Sequence, residues 1–262
     1  MPRFFADPTG IDRSSNTITL TGPDVNHIKN VLRMGPGEEL WISDGDKKEY
    51  HCRIDRVSSD RIETTILYEQ EPSYELPLEI VLFQCIPKGD KMDLIIQKAV
   101  ELGASAVVPV DSARCIVKLD EKKAEKRLAR WTQIAEGAAM QSRRMRLPQI
   151  LPVMKYKDAL ELASGKDLFV IPYELEEGMQ NTRTVFRSLA GKKSVAVLIG
   201  PEGGFEPDEV EKAREKGALP ISLGKRILRT ETAGMTFLSA LMLCLEGAFA
   251  PDEGGTVPNN GE

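Results

Sequence analysis

The sequence predicts an α/β protein with a small N-terminal β domain and a larger C-terminal domain built on a parallel sheet. Two patterns favour this fold class. Short alternating segments rich in β-branched and aromatic residues occupy the first 70 residues, whereas continuous apolar segments separated by helical patterns occupy the rest. Alternation is typical of sheets with one solvated face, and continuous runs are typical of strands covered on both faces. At 262 residues and 41% hydrophobic, the chain is long enough to bury both cores.

The N-terminal domain is predicted over residues 1–72. Its predicted strands are NTITL at 16–20, ELWISDG at 39–45, EYHCRIDRV at 49–57 and RIETTILYE at 61–69. Between the first two strands, apolar residues recur at helical spacing, with Asp24 as N-cap and Gly35 as the stop, so a helix is predicted over 24–38. This order fits a β barrel with one helix, followed by a polar, proline-containing linker at 69–77.

The C-terminal domain is predicted over residues 73–249 as alternating strands and helices, the arrangement of a parallel sheet with helices on both sides. The predicted strands are IVLFQC at 80–85, AVVPV at 106–110, LFVIP at 168–172, VAVLI at 195–199 and LPISL at 219–223, and the predicted helices are 91–102, 121–142, 207–216 and 233–247. The polar segment 250–262 is expected to be a disordered tail.

Composition narrows the class of protein. No apolar run approaches the roughly 18 to 20 residues of a membrane span, and the first ten residues hold no signal-peptide core, so we expect a cytoplasmic protein with no membrane partner. The four cysteines are far apart with no CxxC pair, and the only histidines are His27 and His51. We therefore expect neither a metal site nor a disulfide framework.

Charge is distributed unevenly. The net charge is −5, yet residues 114–146 contain ten Lys or Arg against four Asp or Glu. A cationic surface segment can attract a phosphate backbone even on an acidic protein, because local charge dominates within a Debye length. A solvated helix face with ordinary lysines explains the same window equally well.

The segment IGPEGGF, at 199–205, follows a predicted strand and precedes a predicted helix. Ligands of open parallel sheets bind at the carboxyl ends of the strands, and glycines allow main chain to approach a ligand closely. The spacing matches neither GxGxxG nor GxxxxGK[ST], and Glu202 lies where a phosphate would sit. The loop therefore suits a neutral or cationic ligand, although a simple strand-to-helix turn is the alternative.

The segment SLGKRILRTETAGM, at 222–235, follows the last predicted strand and interrupts a buried region with charged residues. It offers guanidinium, hydroxyl and carboxylate groups beside two aliphatic side chains. A structural explanation is also open: Thr230 or Thr232 can cap the next helix, and Arg229 can pair with Glu231.

These two segments together resemble the SPOUT methyltransferases, specifically the RsmE family of 16S ribosomal RNA uridine-N3 methyltransferases. Further segments agree in order and spacing, and the resemblance extends to about residue 249. They are RFF at 3–5, HIKNVLRMGPGE at 27–38, KGDKMDLIIQKAVELG at 88–103, ARCIVK at 113–118 and QSRRMRLP at 141–148. One departure is at 140–144, where relatives have Glu-Gln-Ser/Cys-Gly-Arg and this chain has Met-Gln-Ser-Arg-Arg.

The resemblance implies a PUA-like RNA-binding barrel, a SPOUT domain with a trefoil knot, a homodimer, and 16S rRNA or the small ribosomal subunit as partner. It also implies S-adenosylmethionine as cofactor, held by residues that match the family's cofactor loops: Leu198, Gly200, Glu202, Gly203, Leu223, Gly224, Ile227, Leu228 and Thr232. For RNA contacts it implies Arg3, Arg33, Gln141 and Arg144.

Methylation of uridine N3 requires a base that has lost its imide proton. A cation near O2 or O4 would stabilise the developing imidate charge, and Arg229 is the candidate because it lies in a cofactor loop. A carboxylate could accept the proton, and Glu231 is the first candidate, with Glu202 second.

Two other functions remain open at this point. A 2′-O-ribose methyltransferase of the same superfamily would share the cofactor loops, but it usually has an NVSVA-like run where this chain has RTETA. A non-catalytic RNA-binding protein would keep the barrel and the basic window, but it would not need the glycine loop to hold a cofactor.

Overall fold

The structure, a computed structural model, describes residues 1–71 and 74–247. Within these residues, six strands form the N-terminal sheet in the order β1-β4-β5-β6-β3-β2. They are β1 (Arg3–Phe5), β2 (Ile11–Asp12), β3 (Thr17–Thr21), β4 (Glu39–Ser43), β5 (Glu49–Val57) and β6 (Arg61–Gln70). The end strands β1 and β2 do not pair with each other among the described residues, so the sheet is a half-barrel around an apolar core.

The helix predicted within 24–38, between Asp24 and Gly35, is present but starts and ends slightly earlier than expected. It comprises α1 (Pro23–Asn26) and one π-helical turn (His27–Val31), and its N-cap is Gly22 rather than Asp24. The chain leaves the helix at Arg33, whose φ of 56° is left-handed, so it ends before the predicted stop at Gly35. The N–H of Met34 returns to the carbonyl of Ile28 at 3.0 Å, which closes the helix end.

The C-terminal sheet is parallel throughout and has the order β10-β8-β7-β12-β11-β13, with β9 paired to β8. Its strands are β7 (Glu79–Cys85), β8 (Ala106–Asp111), β9 (Gln149–Ile150), β10 (Met154–Lys155), β11 (Leu168–Pro172), β12 (Ser194–Ile199) and β13 (Leu219–Ile221). Strand β12 is buried along its whole length, as expected for a central strand.

Helices cover both faces of this sheet, and each face has its own apolar core. The helices are α2 (Lys91–Glu101), α3 (Glu121–Gln141), α4 (Tyr156–Ser164), α5 (Gln180–Arg187), α6 (Pro207–Glu215) and α7 (Thr230–Leu245). Helices α2, α3, α5 and α7 pack on one face, and α4 and α6 pack on the other. The predicted α/β architecture is confirmed. None of the helices in the described residues is long and apolar enough to span a membrane.

Several bounds differ from the predictions. Helices α4 and α5 have no predicted counterpart, and α7 begins three residues before the predicted 233. Strand β13 ends at Ile221, because the chain from Ser222 turns away from the sheet. Part of the predicted linker and the whole of the predicted tail at 250–262 lie outside the described residues.

Polar contacts join the N-terminal sheet to the segment after α3. Ser43 donates its hydroxyl to the carbonyl of Met145 at 3.0 Å, and both residues are buried. The guanidinium of Arg146 lies 2.7 Å from the Asp46 carboxylate. We call this region, residues 43–46 with residues 144–146, the domain joint.

Candidate active site

A cavity of about 500 Å³ lies at the carboxyl ends of three neighbouring strands, β11, β12 and β13. Because parallel strands end at the same edge of the sheet, the segments that follow them meet there. These are Tyr173 and Glu174 after β11, residues 200–205 after β12, and residues 222–230 after β13. Lys91 and Ala233 complete the lining.

The loop after β12 is packed so closely that side chains would disturb it. A Cβ at Gly200 would lie 3.1 Å from the ring of Phe205, and a Cβ at Gly203 would lie 3.3 Å from the Cβ of Arg114. Gly204 has a φ of 67°, which favours glycine. Arg114 also donates to the carbonyl of Gly203 at 2.8 Å, so it fixes the loop from outside the cavity.

A buried hydrogen-bond chain fixes this loop from inside the protein. The Thr230 hydroxyl donates to the carbonyl of Gly200 at 2.6 Å and accepts from the Gln84 amide at 2.8 Å. Gln84 is fully buried near the end of β7, and Thr230 is 5% exposed at the start of α7. This chain, Gln84–Thr230–Gly200, connects a strand, a loop and a helix beside the cavity.

Two carboxylates share one lysine at the edge of the cavity. The Lys91 ammonium lies 2.9 Å from Glu202 and 3.3 Å from Glu231. Burial alone would raise the pKa of the Glu202 carboxyl, but the hydrogen bond from Lys91 and N–H donors that include Lys88 lower it below its usual value. The hydrogen bond to Glu202 likewise raises the Lys91 pKa. Glu202 and Lys91 are therefore an ionised pair at neutral pH.

Three cations lie on the other side of the cavity. Lys225, Arg226 and Arg229 line it, are exposed, and form no ion pair within the described part of the chain. Between them, Ile227 has 88% of its surface exposed. The segment 225–229 therefore presents positive charge and an apolar side chain at the opening of the cavity.

Seven of the nine residues predicted to hold the cofactor line this cavity. They are Gly200, Glu202, Gly203, Leu223, Gly224, Ile227 and Leu228. The other two do not line it: the Leu198 side chain is 1% exposed inside the core, and Thr232 is exposed outside the cavity. The sequence reasoning missed Tyr173 and Glu174, although their position directly after a predicted strand was a usable signal.

Only one of the two predicted catalytic residues lines the cavity. Arg229 lines the cavity, whereas Glu231 is directed to Lys91 and does not pair with Arg229. Neither Thr230 nor Thr232 caps α7 through its side chain, because the N-cap is Arg229 and it makes no side-chain cap hydrogen bond. The Thr230 hydroxyl instead takes part in the buried hydrogen-bond chain Gln84–Thr230–Gly200.

Arg144 requires a correction. It is 4% exposed, its guanidinium pairs with the Glu75 carboxylate at 2.6 Å, and it donates to the carbonyls of Val100 and Ala104, each at 3.0 Å. A phosphate cannot reach a guanidinium that is buried and already bonded on all sides. The position of Arg144 therefore argues for a structural role and against the predicted RNA contact.

Of the other three residues predicted to contact RNA, two lie at the surface, whereas the Arg3 side chain is only 9% exposed. Arg33 and Gln141 are exposed, and Arg3 is ion-paired with Glu49 beside a second cavity that Gln141 also lines. Arg143, where the family resemblance leads us to expect glycine, has a φ of 62° and is exposed. Glycine adopts this backbone conformation more readily than arginine does.

The cationic window at 114–146 is less positive at its surface than its composition suggests. Six of its cations form ion pairs with carboxylates: Arg114, Lys118, Lys123, Arg130, Arg144 and Arg146. Lys122, Lys126, Arg127 and Arg143 form none within the described residues.

The described part of the chain contains no group of three or more His, Cys, Asp or Glu side chains placed to hold a metal ion.

Comparisons with known proteins agree with this geometry. Residues 74–242 match the family described as an RNA methyltransferase domain, and residues 20–67 match the family described as an RNA methyltransferase PUA domain. Ribosomal RNA small subunit methyltransferase E of Bacillus subtilis is 37% identical over 246 residues, which cover 92% of this chain and 96% of the relative.

Two solved structures with bound S-adenosylmethionine are also similar. Ribosomal RNA small subunit methyltransferase E of Neisseria gonorrhoeae is 36% identical with a TM-score of 0.78, and a methyltransferase of Legionella pneumophila is 33% identical with a TM-score of 0.82. Each alignment covers 92% of this chain and 96% of the other. The sequence-based prediction of the family is confirmed: the chain belongs to the ribosomal RNA small subunit methyltransferase E family of RNA methyltransferases.

Proposed function

We propose that this protein transfers a methyl group from S-adenosylmethionine to N3 of a uridine in 16S ribosomal RNA. The observation that carries the proposal is a single cavity where a glycine loop, the Glu202 carboxylate and exposed cations meet at the carboxyl edge of a parallel sheet. The acidic side suits a cationic cofactor, and the cationic side suits a polyanionic substrate.

The residues present fit the cofactor. The cavity volume of about 500 Å³ lies within the range of small-molecule sites, and residues 200–204 and 222–224, which include four glycines, form much of its lining. When bound, S-adenosylmethionine supplies an electrophilic methyl group on a sulfonium. We propose that the seven lining residues predicted from the sequence hold it. Leu198 would contribute only by supporting the loop from within the core.

Arg229 is the proposed stabiliser of the developing imidate. It lines the cavity, and no carboxylate among the described residues is ion-paired with it, so its guanidinium is available to a substrate oxygen. A preorganised cation at that oxygen favours the transition state over the ground state.

Glu231 is the proposed proton acceptor in preference to Glu202. The lowered pKa of Glu202 makes it a weak base, and its oxygens already accept from Lys88 and Lys91. Glu231 has Lys91 alone as its charged partner among the described residues. Lys91 would then position this carboxylate rather than take part in the proton transfer.

We also propose four further features that the family resemblance or the sequence predicted. They are a trefoil knot, a homodimer, a domain boundary near residues 72–73, and action in the cytoplasm, where ribosomal RNA is located. The bond from Thr230 to Gly200 brings the chain after β13 against the loop after β12, as the proposed knot requires. Light scattering after gel filtration tests the dimer, and a monomeric mass would contradict it.

The direct test uses the full chain with S-adenosylmethionine and small ribosomal subunits from cells lacking the gene. Digestion of the RNA and mass spectrometry of the nucleosides should detect 3-methyluridine at one position. A 2′-O-methylnucleoside would identify the alternative target. RNA binding without any binding of S-adenosylmethionine by calorimetry would leave the protein as a non-catalytic RNA-binding module.

A further inference from the structure

Two of the four cysteines meet at the carboxyl ends of neighbouring strands. Cys85 ends β7, and its partner in the sheet register is Val110, near the end of β8. The Cys115 thiol lies 3.6 Å from the carbonyl of the same Val110, which also accepts from the N–H of Ile86 at 3.0 Å. The Cys85 thiol lies beside that of Cys115 and donates a hydrogen bond to it. We call these two cysteines the thiol pair.

The two thiols differ in their surroundings. Cys85 is fully buried, and burial raises its pKa well above the usual value. The hydrogen bond from Cys85 lowers the pKa of Cys115 to about 6, and the Ser112 hydroxyl lies 3.2 Å from the same sulfur. Cys115 is therefore mostly a thiolate at neutral pH, whereas Cys85 keeps its proton. A thiolate is the form of cysteine that attacks peroxides.

Cys115 is also the member of the pair nearer to solvent. It is 3% exposed, but it belongs to a segment without regular structure, residues 112–120, and its neighbours Arg114 and Ile116 are exposed. Hydrogen peroxide is little larger than water, so local opening of this segment is enough to admit it. Both members of the pair are free thiols in the structure.

The segment that contains Cys115 supports the glycine loop of the active-site cavity. Arg114 donates to the carbonyl of Gly203 at 2.8 Å, and the N–H of Ala113 donates to the Glu209 carboxylate at 2.9 Å. The contact is close, since a Cβ at Gly203 would lie 3.3 Å from the Cβ of Arg114. A movement of Cys115 should therefore be felt by the loop.

We infer that the thiol pair is an oxidation site for a hydroperoxide, and that its disulfide loosens the glycine loop and lowers cofactor affinity. The sulfurs of a disulfide are bonded at about 2.05 Å, much closer than two thiols in hydrogen-bond contact. Formation of the bond draws Cys115 towards Cys85 on the rigid strand β7 and displaces Arg114 from Gly203. This inference rests on the proposed function for the identity of the cofactor, and it adds a means of regulating cofactor binding.

The oxidation proceeds in two balanced steps. The Cys115 thiolate attacks one oxygen of hydrogen peroxide, so that an S–O bond forms, the O–O bond breaks, and the leaving hydroxide takes up a proton to become water. The Cys85 sulfur then attacks the sulfenic sulfur of Cys115, so that the S–S bond forms, the S–O bond breaks, and the leaving hydroxide takes the Cys85 proton. In total, two thiols lose two electrons, and the peroxide is reduced to two waters.

Peptide mass spectrometry of the full chain tests this chemistry. After treatment with hydrogen peroxide and alkylation of the remaining thiols, peptides linked through Cys85 and Cys115 should appear, and dithiothreitol should separate them. In Cys85→Ala, which lacks the second thiol, a sulfenic acid should accumulate at Cys115 and react with dimedone. Cys244, a half-buried thiol on α7, is the control. A thiol pair that stays reduced under conditions that oxidise Cys244 would overturn the inference.

Calorimetry with S-adenosylmethionine tests the consequence for the site. Oxidised wild type should bind the cofactor about tenfold to a hundredfold more weakly than the reduced protein, the effect of losing one hydrogen bond to a charged group. Dithiothreitol should restore the affinity. Cys115→Ser, which cannot be oxidised at this position, should bind equally well before and after peroxide. A complete disulfide with unchanged cofactor affinity would contradict the inference.

Arg114→Met tests the route from the disulfide to the loop. This variant should bind the cofactor more weakly even when reduced, because the bond to Gly203 is absent, and oxidation should then add little. Lys118→Met is the matched control on the same segment, since its partner Asp111 does not line the cavity. Oxidation should weaken its binding as much as it does in wild type. An equal further loss in Arg114→Met would show that the disulfide does not act through the glycine loop, and the inference would fail.

The inference and the proposed function can fail separately. Amide hydrogen exchange of residues 200–206 needs no cofactor, and oxidation should accelerate it while exchange in β5 stays unchanged. A disulfide that accelerates this exchange in a protein that does not bind S-adenosylmethionine would contradict the proposed function and support the thiol pair as an oxidation site. Methylation of small subunits by a protein whose thiol pair stays unlinked in hydrogen peroxide would do the reverse.

Discussion

At the scale of single residues, Arg144 contributes more to the stability of the fold than its position in a cationic segment of the sequence suggests. Burial alone would raise the pKa of the Glu75 carboxyl, but the hydrogen bonds and charge of Arg144, with the N–H groups of Met145 and Arg146, lower it below its usual value. This carboxylate thus connects the segment before β7 to the segment after α3.

Removal of Arg144 should lower the stability of the protein. Arg144→Met leaves Glu75 without its cation, so the free energy of unfolding should fall by about 3–5 kcal/mol in urea titrations. Arg146→Met is the matched control, because its pair with Asp46 is exposed and should contribute at most about 1 kcal/mol. Similar losses for both variants would contradict the buried role of Arg144.

The same pair predicts a dependence on pH. Because the folded-state pKa of Glu75 is lowered, its contribution to stability is complete above its usual value of 4.5 and disappears as the pH falls through the folded-state value. The difference in stability between wild type and Glu75→Gln should therefore be constant near neutral pH and shrink on acidification. A difference that grows towards acid would contradict the lowered pKa.

Arg229 is the residue on which the proposed chemistry depends. Arg229→Ala should slow single-turnover methylation by about 10²- to 10³-fold with little change in the dissociation constants of cofactor and RNA. Arg229→Lys should restore only part of the rate, because the planar fork is lost. A rate within a few-fold of wild type, or a loss explained by weaker cofactor binding, would make Arg229 a support for the loop.

At the scale of elements, the chain Gln84–Thr230–Gly200 is the connection between β7, the glycine loop and α7. Thr230→Val removes the hydroxyl and leaves one N–H of the buried Gln84 amide and the carbonyl of Gly200 without partners, so stability should fall by about 1–3 kcal/mol and cofactor affinity should fall with it. Thr236→Val, an exposed position on the same helix, should change stability by less than about 0.5 kcal/mol. Thermal unfolding and calorimetry measure both effects.

The elements that the sequence predicted well are those with a long, uniform pattern. Strand β12 and helix α3 were predicted within one residue, because a continuous apolar run and a capped helix are local signals. Helices α4 and α5 lack a side-chain N-cap and span only nine and eight residues, so their signals were weak. The helix within 24–38 was predicted, but its end was placed too late, because a left-handed backbone at Arg33 leaves no mark in apolar spacing.

The candidate site was likewise predicted only in part. Glycines and charged residues directly after predicted strands identified most of the lining, since the carboxyl edge of a parallel sheet collects them. Lys91 could not be identified that way, because it reaches the cavity from the start of α2, over a hundred positions from Glu202. The burial of Arg144 likewise depends on Glu75, a partner that tertiary packing alone supplies.

At the scale of the whole molecule, net charge is a poor guide to RNA affinity. Neutralising Lys225, Arg226 and Arg229 to glutamine together should reduce the salt slope of RNA binding by about 2, since each phosphate contact on a single strand contributes about 0.7. The same change at Lys122, Lys126 and Arg127 on α3 serves as the control and should have a smaller effect. A larger effect of the α3 variant would restore the cationic window as the main phosphate contact.

The domain joint has a consequence for the choice of target. Because Ser43 bonds to Met145 and Asp46 pairs with Arg146, the N-terminal sheet and the candidate active-site cavity are held together across the domain joint. An RNA that engages both must then present two of its nucleotides at a defined separation, and a folded RNA can hold such a separation in three dimensions. The three-dimensional spacing of nucleotides, more than their order along the strand, would then decide which uridine is methylated.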